Sequence, residues 1–391
     1  MNIPTVQTYY RMSILNSLND VGQKQWDALV QSQNNANPFL SFAFLNALHE
    51  SGSACEKTGW KMSYLCLWQE NQLVASIPLY EKYHSYGEYV FDWAWADAYH
   101  KSGLNYYPKL LSAIPFTPVS GNRLIAKDAA AWRALLIELI KYQQSGNFSS
   151  THILFPSNQE TELLGKTGYL IREGIQFHWK NNNYLNFEEF LATLESKKRK
   201  NIRAERRKIK QSEIEFEHLK GSEMTQLNWE IFKQCYDQTY IEHHSSPYLN
   251  LDFFHRIGAT MPENIQLVFA KKNGRTIAAS LLIHDEKTVF GRYWGCLETI
   301  PCLHFETAYY QAIDFCIKNK IETFEGGAQG EHKMARGFLP QKTYSAHHLS
   351  DPRFSNAVAE YLEREKAGIA HYLTDLNEHT PYKVIFRGEL T

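Results

Sequence analysis

The chain has 391 residues, 43% of them hydrophobic, 14% aromatic and 21% charged, with 41 Lys and Arg against 42 Asp and Glu. That balance excludes disordered and collagen-like chains and gives no global charge that would draw the protein to nucleic acid or an acidic membrane. At about 150 residues per domain, the length points to two domains or one two-lobed body. Six cysteines, at positions 55, 66, 235, 296, 302 and 316, form no C-x-x-C pair and no zinc-finger spacing. A reducing, cytoplasmic setting without a metal is therefore expected. Residues 1–15 hold no apolar run fit for a signal peptide, and no window reaches the ~18 apolar residues that a membrane-spanning helix needs.

Residues 38–50 carry Phe42, Leu45 and Leu48 at helical spacing, with Gly52 as the stop. Residues 62–68, a turn at Glu70-Asn71, residues 73–82 and residues 87–95 read as strand, turn, strand, strand. In the last of these, alternation puts Phe91, Trp93 and Trp95 on one strand face. Residues 128–144 form an amphipathic helix stopped by Gly146, and 151–155 a strand. Residues 165–174 read as a helix end and turn, and 175–180 as a strand. Asn186 opens a helix that runs to about Lys210, with Glu188 and Glu189 at its positive end and a seam of Leu191, Leu194, Ile202 and Ile209. Residues 224–242 are helical.

Residues 265–271, the turn Asn273-Gly274, 275–284 and 289–295 repeat the strand–turn–strand–strand pattern of 62–95. Each meander is followed by a helix-compatible stretch with an aromatic pair, Tyr106-Tyr107 or Tyr309-Tyr310. A helix over 303–320, a strand over 321–324, a glycine-rich turn, a strand over 343–349 and a helical tail over 351–376 complete the chain. The expected fold is α/β with mixed sheets, in two similar units at 1–180 and 181–391 that pack together.

Four constellations could carry chemistry. Residues 197–210 hold nine bases and one acid, and on a helix Arg199, Arg203, Arg206 and Lys210 share a face. Such a face is either solvated or a local site for a phosphate-bearing ligand. The stretch from Glu325 to Phe338 gathers Glu325, Gln329, Glu331, His332, Lys333 and Arg336 on a glycine-rich strand exit. Glycines there let backbone N–H groups approach a ligand, and α/β folds place their sites at strand C-terminal ends. Tyr107 and Lys109 lie in a proline-set aromatic loop that serves either as a binding wall or as structure. Trp294 and His304 flank the second meander's exit, with Glu306 close by.

The strings Asn37-Pro38-Phe39-Leu40-Ser41, Tyr106-Tyr107-Pro108-Lys109-Leu110, Pro115-Phe116-Thr117-Pro118-Val119 and Pro301-Cys302-Leu303-His304-Phe305-Glu306 resemble a known family, as do the basic helix 197–208 and residues 325–333. That family is the FemAB-like N-acyltransferases, of peptidoglycan biosynthesis or recognition, within the GNAT superfamily. The resemblance covers residues 37–349 and implies two fused GNAT-like units. It also implies transfer of an acyl or aminoacyl group to an amine, such as a cell-wall precursor, from an acyl thioester such as acyl-CoA.

Residues 97–107 and 298–309 lack the Q/R-x-x-G-x-G/A spacing with which GNAT enzymes hold coenzyme A. Fem-type enzymes, which resemble this chain in the Lys-x-x-x-Gly-Phe end of 332–338, use aminoacyl-tRNA instead. A third reading is a binding protein of the same fold without turnover. On this resemblance Glu331 or His332 is the base. Lys333, Arg336, Gln329, Glu325, Arg199, Arg203, Trp294, Tyr107, Lys109 and His304 contact substrate. No metal, DNA partner or membrane span is implied.

Overall fold

The computed structural model describes residues 9–34, 36–328 and 330–384. The elements of the first half are β1 Arg11–Leu15, α1 Gln23–Gln31, α2 Phe42–Glu50, β2 Lys61–Met62, β3 Tyr64–Gln69, β4 Gln72–Ile77, β5 Tyr80–Lys82, α3 Trp93–Lys101, β6 Lys109–Ser112, β7 Ile125–Ala126, α4 Ala129–Ser145, β8 Ser150–Leu154, α5 Asn158–Lys166 and β9 Leu170–Lys180. Then come α6 Phe187–Thr193, α7 Ser196–Gln211, β10 Ile214–Lys220, α8 Gln226–Glu242, α9 Leu251–Thr260, β11 Ile265–Lys272, β12 Arg275–His284, β13 Thr288–Cys296, α10 Leu303–Phe305, α11 Gln311–Asn319, β14 Thr323–Glu325, β15 Leu339–Leu349 and α12 Pro352–Glu378.

Contacts divide the chain at Arg172/Glu173, Thr343/Tyr344 and Arg364/Glu365. The division differs from two contiguous halves meeting at residue 180, because Tyr344–Arg364 returns to the first unit. Residues 345–349 explain the return, since they pair with β8 and add a strand to the first unit's sheet.

In the first unit, β1, β3, β4 and β7 form one antiparallel sheet. A second sheet joins β2, β5, β6 and β8 with the end of β15, and β6 runs parallel to β8. Leu65, Leu67, Val74 and Ile77 meet Leu135 and Leu139 of α4 in the core. The α4 helix starts where expected, because the Asp128 carboxylate accepts from the Ala131 amide at 2.8 Å.

In the second unit, β10, β11, β12, β13, β14 and residues 178–180 of β9 pair in that order, with only β13 and β14 parallel. Asn273 and Gly274 both have positive φ (52° and 74°), the backbone of a tight hairpin turn. At Gly295 a Cβ would stand 1.7 Å from the Cys235 carbonyl oxygen, so only glycine lets α8 lie directly on β13.

Three expectations change. Residues 93–101 are helical, and the first unit has no third meander strand there. Trp95 and Tyr99, four residues apart, are buried while Phe91 and Trp93 face water, so burial follows the helical period and not alternation. The single helix expected over 186–210 is two, because Leu194 is extended and bridges Tyr382 while the Glu195 amide donates to the Pro381 carbonyl. That break puts Leu191, Leu194, Ile202 and Ile209 all in the buried set. The strand expected over 175–180 starts five residues earlier, at Leu170.

Candidate active site in the second unit

The site starts from a parting of strands. β13 pairs with β14 only from Thr288↔Thr323 to Phe290↔Glu325. Beyond Phe290, β13 continues to Cys296 alongside β12, and Arg292 is the extra residue of a bulge between the Tyr293 and Gly291 pairs. After Glu325 the chain turns through Gly326 and Gly327 (φ 83°) and enters a 3-10 turn at Glu331–Arg336. The opening side of β13 therefore faces a glycine-rich turn in place of a neighbouring strand.

Lys333 is buried in that turn, 2% exposed, and its ammonium donates to the Gly327 carbonyl at 3.1 Å. Burial lowers its pKa to about 8. His332 is exposed and hydrogen-bonded through Nε2 to the Tyr309 hydroxyl at 3.1 Å. Partial burial and the adjacent charges of Lys333 and Arg336 lower its pKa, so the imidazole is neutral at pH 7. His304 stacks on the Trp294 indole of β13 with centroids 4.9 Å apart, and 6.4 Å separates it from His332. Burial first, and His332 second, bring His304 to about 4.

Arg336 closes the turn. It donates to the His332 carbonyl and to Glu205 Oε1, both at 2.8 Å, and its guanidinium lies 3.3 Å from the Phe305 ring centre. Glu205 in turn accepts from the Tyr310 hydroxyl. Tyr309 and Tyr310 stand in a π-helical turn, Glu306–Tyr310, that interrupts the helix expected over 303–320. Such turns re-aim side chains within a helix and are frequent at functional sites. Here one places Tyr309 against His332 and Tyr310 against Glu205.

The expected site residues distribute unevenly. Lys333, Arg336, His332, His304 and Trp294 come together. Glu331 is exposed and accepts from the Tyr372 hydroxyl. Glu325 sits at the end of β14, where burial raises its pKa to about 8 against the pull of Arg292 and Lys180. Gln329 lies outside the described residues. Arg199 donates to the Leu194 carbonyl at 3.2 Å and Arg203 pairs with Glu188. Arg206 pairs with Asp314 at 2.8 Å and Glu306 at 3.1 Å. Arg203 and Arg206 thus hold the protein's own acids, and Arg199 holds a backbone carbonyl.

Tyr107 and Lys109 belong to the first unit. Lys109 is fully buried and donates to Ser85 and Glu88, each at 2.8 Å, and to Asp92. The Tyr107 hydroxyl is hydrogen-bonded to Ser85 at 2.8 Å. Sequence reasoning missed Glu205, the one acid in a basic run, and Tyr310. The signal was present, because one acid among nine bases invites a specific partner. Among the described residues no group of three or more His, Cys, Asp or Glu is placed to hold a metal ion.

The profile of the FemAB-like family, described as peptidoglycan biosynthesis/recognition, matches residues 17–384. The chain belongs to the FemAB-like family. Solved structures similar to this FemAB-like chain include FemX, 10% identical over 89% of this chain and 100% of that one, with a TM-score of 0.54. L-PGS from Bacillus licheniformis is 10% identical over 87% and 97% of the two chains, with a TM-score of 0.53. The C-terminal domain of a putative lysylphosphatidylglycerol synthetase from Agrobacterium fabrum is 10% identical over 88% and 96%, also at 0.53. At this identity the likeness establishes the fold. No curated protein matches the FemAB-like chain. Family and fold together support an acyl- or aminoacyl-transferase role in general terms.

Proposed function

We propose that the protein is an N-acyltransferase that moves an acyl or aminoacyl group onto the amine of a cell-wall precursor or amino-acid-like acceptor. The observation that carries this reading is the gathering of Lys333 and His332 where β13 and β14 part. In the reaction, the acceptor ammonium loses a proton to the neutral His332 imidazole. The amine then attacks the donor carbonyl, and a tetrahedral oxyanion forms. The Lys333 ammonium and backbone N–H groups of 291–296 supply donors to that oxyanion. Collapse breaks the bond to the leaving sulfur or oxygen, which takes the proton held by His332, and the nitrogen gives up its second proton to solvent as the neutral amide forms.

One observation favours an aminoacyl ester, such as aminoacyl-tRNA, over coenzyme A as donor. The segment 297–302 before α10, where a GNAT enzyme would hold the coenzyme A pyrophosphate, carries Glu298, paired with Arg275, and Pro301, which has no N–H. A carboxylate and a missing donor suit a pyrophosphate poorly.

The test is product formation with panels of acyl-CoA and aminoacyl-tRNA donors against amine acceptors, followed by mass spectrometry. RNase-sensitive amide formation supports the tRNA-dependent reading, and activity with acyl-CoA alone supports the thioester. Tight ligand binding without any turnover, in wild type and Lys333→Ala alike, would show a binding protein that keeps the fold.

A further inference from the structure

The first unit carries an expensive feature that the proposed site does not use. Between β5 and α3, residues 83–92 are held from beneath by three cations. Lys109, fully buried, grips Ser85, Glu88 and Asp92. Lys82, also fully buried, donates to the Tyr86 carbonyl at 3.3 Å and lies 3.7 Å from the Trp60 ring centre. Arg172 donates to the Phe91 carbonyl at 2.7 Å. Ion pairs this deep cost desolvation and contribute little net stability, so their effect is to fix conformation.

What the anchored segment shows to water is apolar. Tyr86 is 61% exposed, Phe91 58%, Tyr83 48% and Trp93 42%, and Leu104 follows α3 at 36%. Tyr86 and Trp93 touch edge to face, centroids 5.1 Å apart. A free loop with these residues would turn its rings inward, and here the anchors hold them out. Ser85, Glu88 and Asp92 are buried on Lys109 beneath these rings. The exposed charges of the segment cancel, as Asp97 pairs with Lys101 at 2.6 Å.

We propose that this anchored aromatic loop docks the protein on the lipid–water interface of a bilayer. Tyr and Trp rings suit that interface, with an apolar body and a polar tip. A neutral patch matches a zwitterionic surface and lacks the cations that anionic lipid or nucleic acid would require. Pre-ordering by the anchors removes the entropic cost of fixing the rings on binding. No helix of the described residues is long and apolar enough to cross a membrane.

The test is flotation of the full chain with phosphatidylcholine vesicles at low and at high salt. Binding should be unchanged by salt. The triple variant Tyr86→Ser/Phe91→Ser/Trp93→Ser should lower partitioning by about 100-fold while its melting temperature stays within error. Ile137→Ser, on α4 and 53% exposed, should bind as wild type. The proposal is overturned if neutral vesicles do not bind, if the triple variant still binds, or if binding needs anionic lipid and is released by salt. It is also overturned if these rings instead mediate self-association in sedimentation, or binding of N-acetylglucosamine oligomers. None of these readouts uses turnover, so the transferase reading stands or falls separately.

Discussion

Replacing Arg336 with Met tests how the candidate turn is held. The guanidinium is 8% exposed and its partner Glu205 20%. The change removes two charge-assisted hydrogen bonds, to Glu205 and to the His332 carbonyl, at ~1.5–3 kcal/mol each. It also removes a cation–π contact with Phe305 worth ~1–2 kcal/mol. Methionine keeps most of the apolar packing, and Glu205 keeps its Tyr310 hydroxyl and some solvent. Breaking a buried pair costs about 3–5 kcal/mol, and the residual exposure of Glu205 puts this case near the lower figure, about 3 kcal/mol. For a unit of roughly 200 residues that is a melting-temperature loss of about 6–12 °C. Calorimetric melts of wild type, Arg336→Met, Glu205→Gln and the double variant form a cycle. The expected coupling exceeds about 1 kcal/mol, because the two groups share one network. A shift under about 2 °C for Arg336→Met, or strict additivity, would refute the view that this pair holds the turn.

The transfer rate should follow a bell-shaped pH profile, rising as His332 deprotonates below pH 6.5 and falling near pH 8 as Lys333 loses its charge. In steady-state kinetics, His332→Gln should remove the acid limb and Lys333→Arg the alkaline one, and limbs that survive both changes would reassign the groups. His304 is buried neutral, with a folded pKa of about 4 against 6.5 unfolded, so the unfolded chain binds the proton first on acidification. Its contribution to stability is complete above pH 6.5 and is lost as pH falls to about 4, about 2 kcal/mol between pH 7.5 and 5. Urea unfolding at those two pH values should show a smaller loss in His304→Gln. Gly295→Ala forces a Cβ against the Cys235 carbonyl and should cost ~4 kcal/mol or more. A well-folded Gly295→Ala protein with an unchanged melt would contradict the packing of α8 on β13.

Local signals in the sequence determined much of this protein. Asp128, Asn186 and Thr225 cap their helices because a side-chain oxygen two or three residues from a free amide is sufficient, with no help from distant parts of the chain. Asn273-Gly274 fixes the β11–β12 hairpin in the same way, since two positive φ angles are a property of those two residues. The glycine-rich exit from β14 was legible for the same reason.

Tertiary contact decided the rest. Trp93 and Trp95 alternate on paper, and only the burial of Trp95 and Tyr99 made residues 93–101 a helix. Leu194 interrupts a sequence with good helical periodicity because its backbone bridges Tyr382 and the next amide, of Glu195, donates to Pro381, far along the chain. Glu205 looked like one acid lost among bases. Its role exists only once the π-helical turn brings Tyr310, and the β14 turn brings Arg336, to the same carboxylate. Ion pairs obey distance in space, and a linear sequence states only distance along the chain.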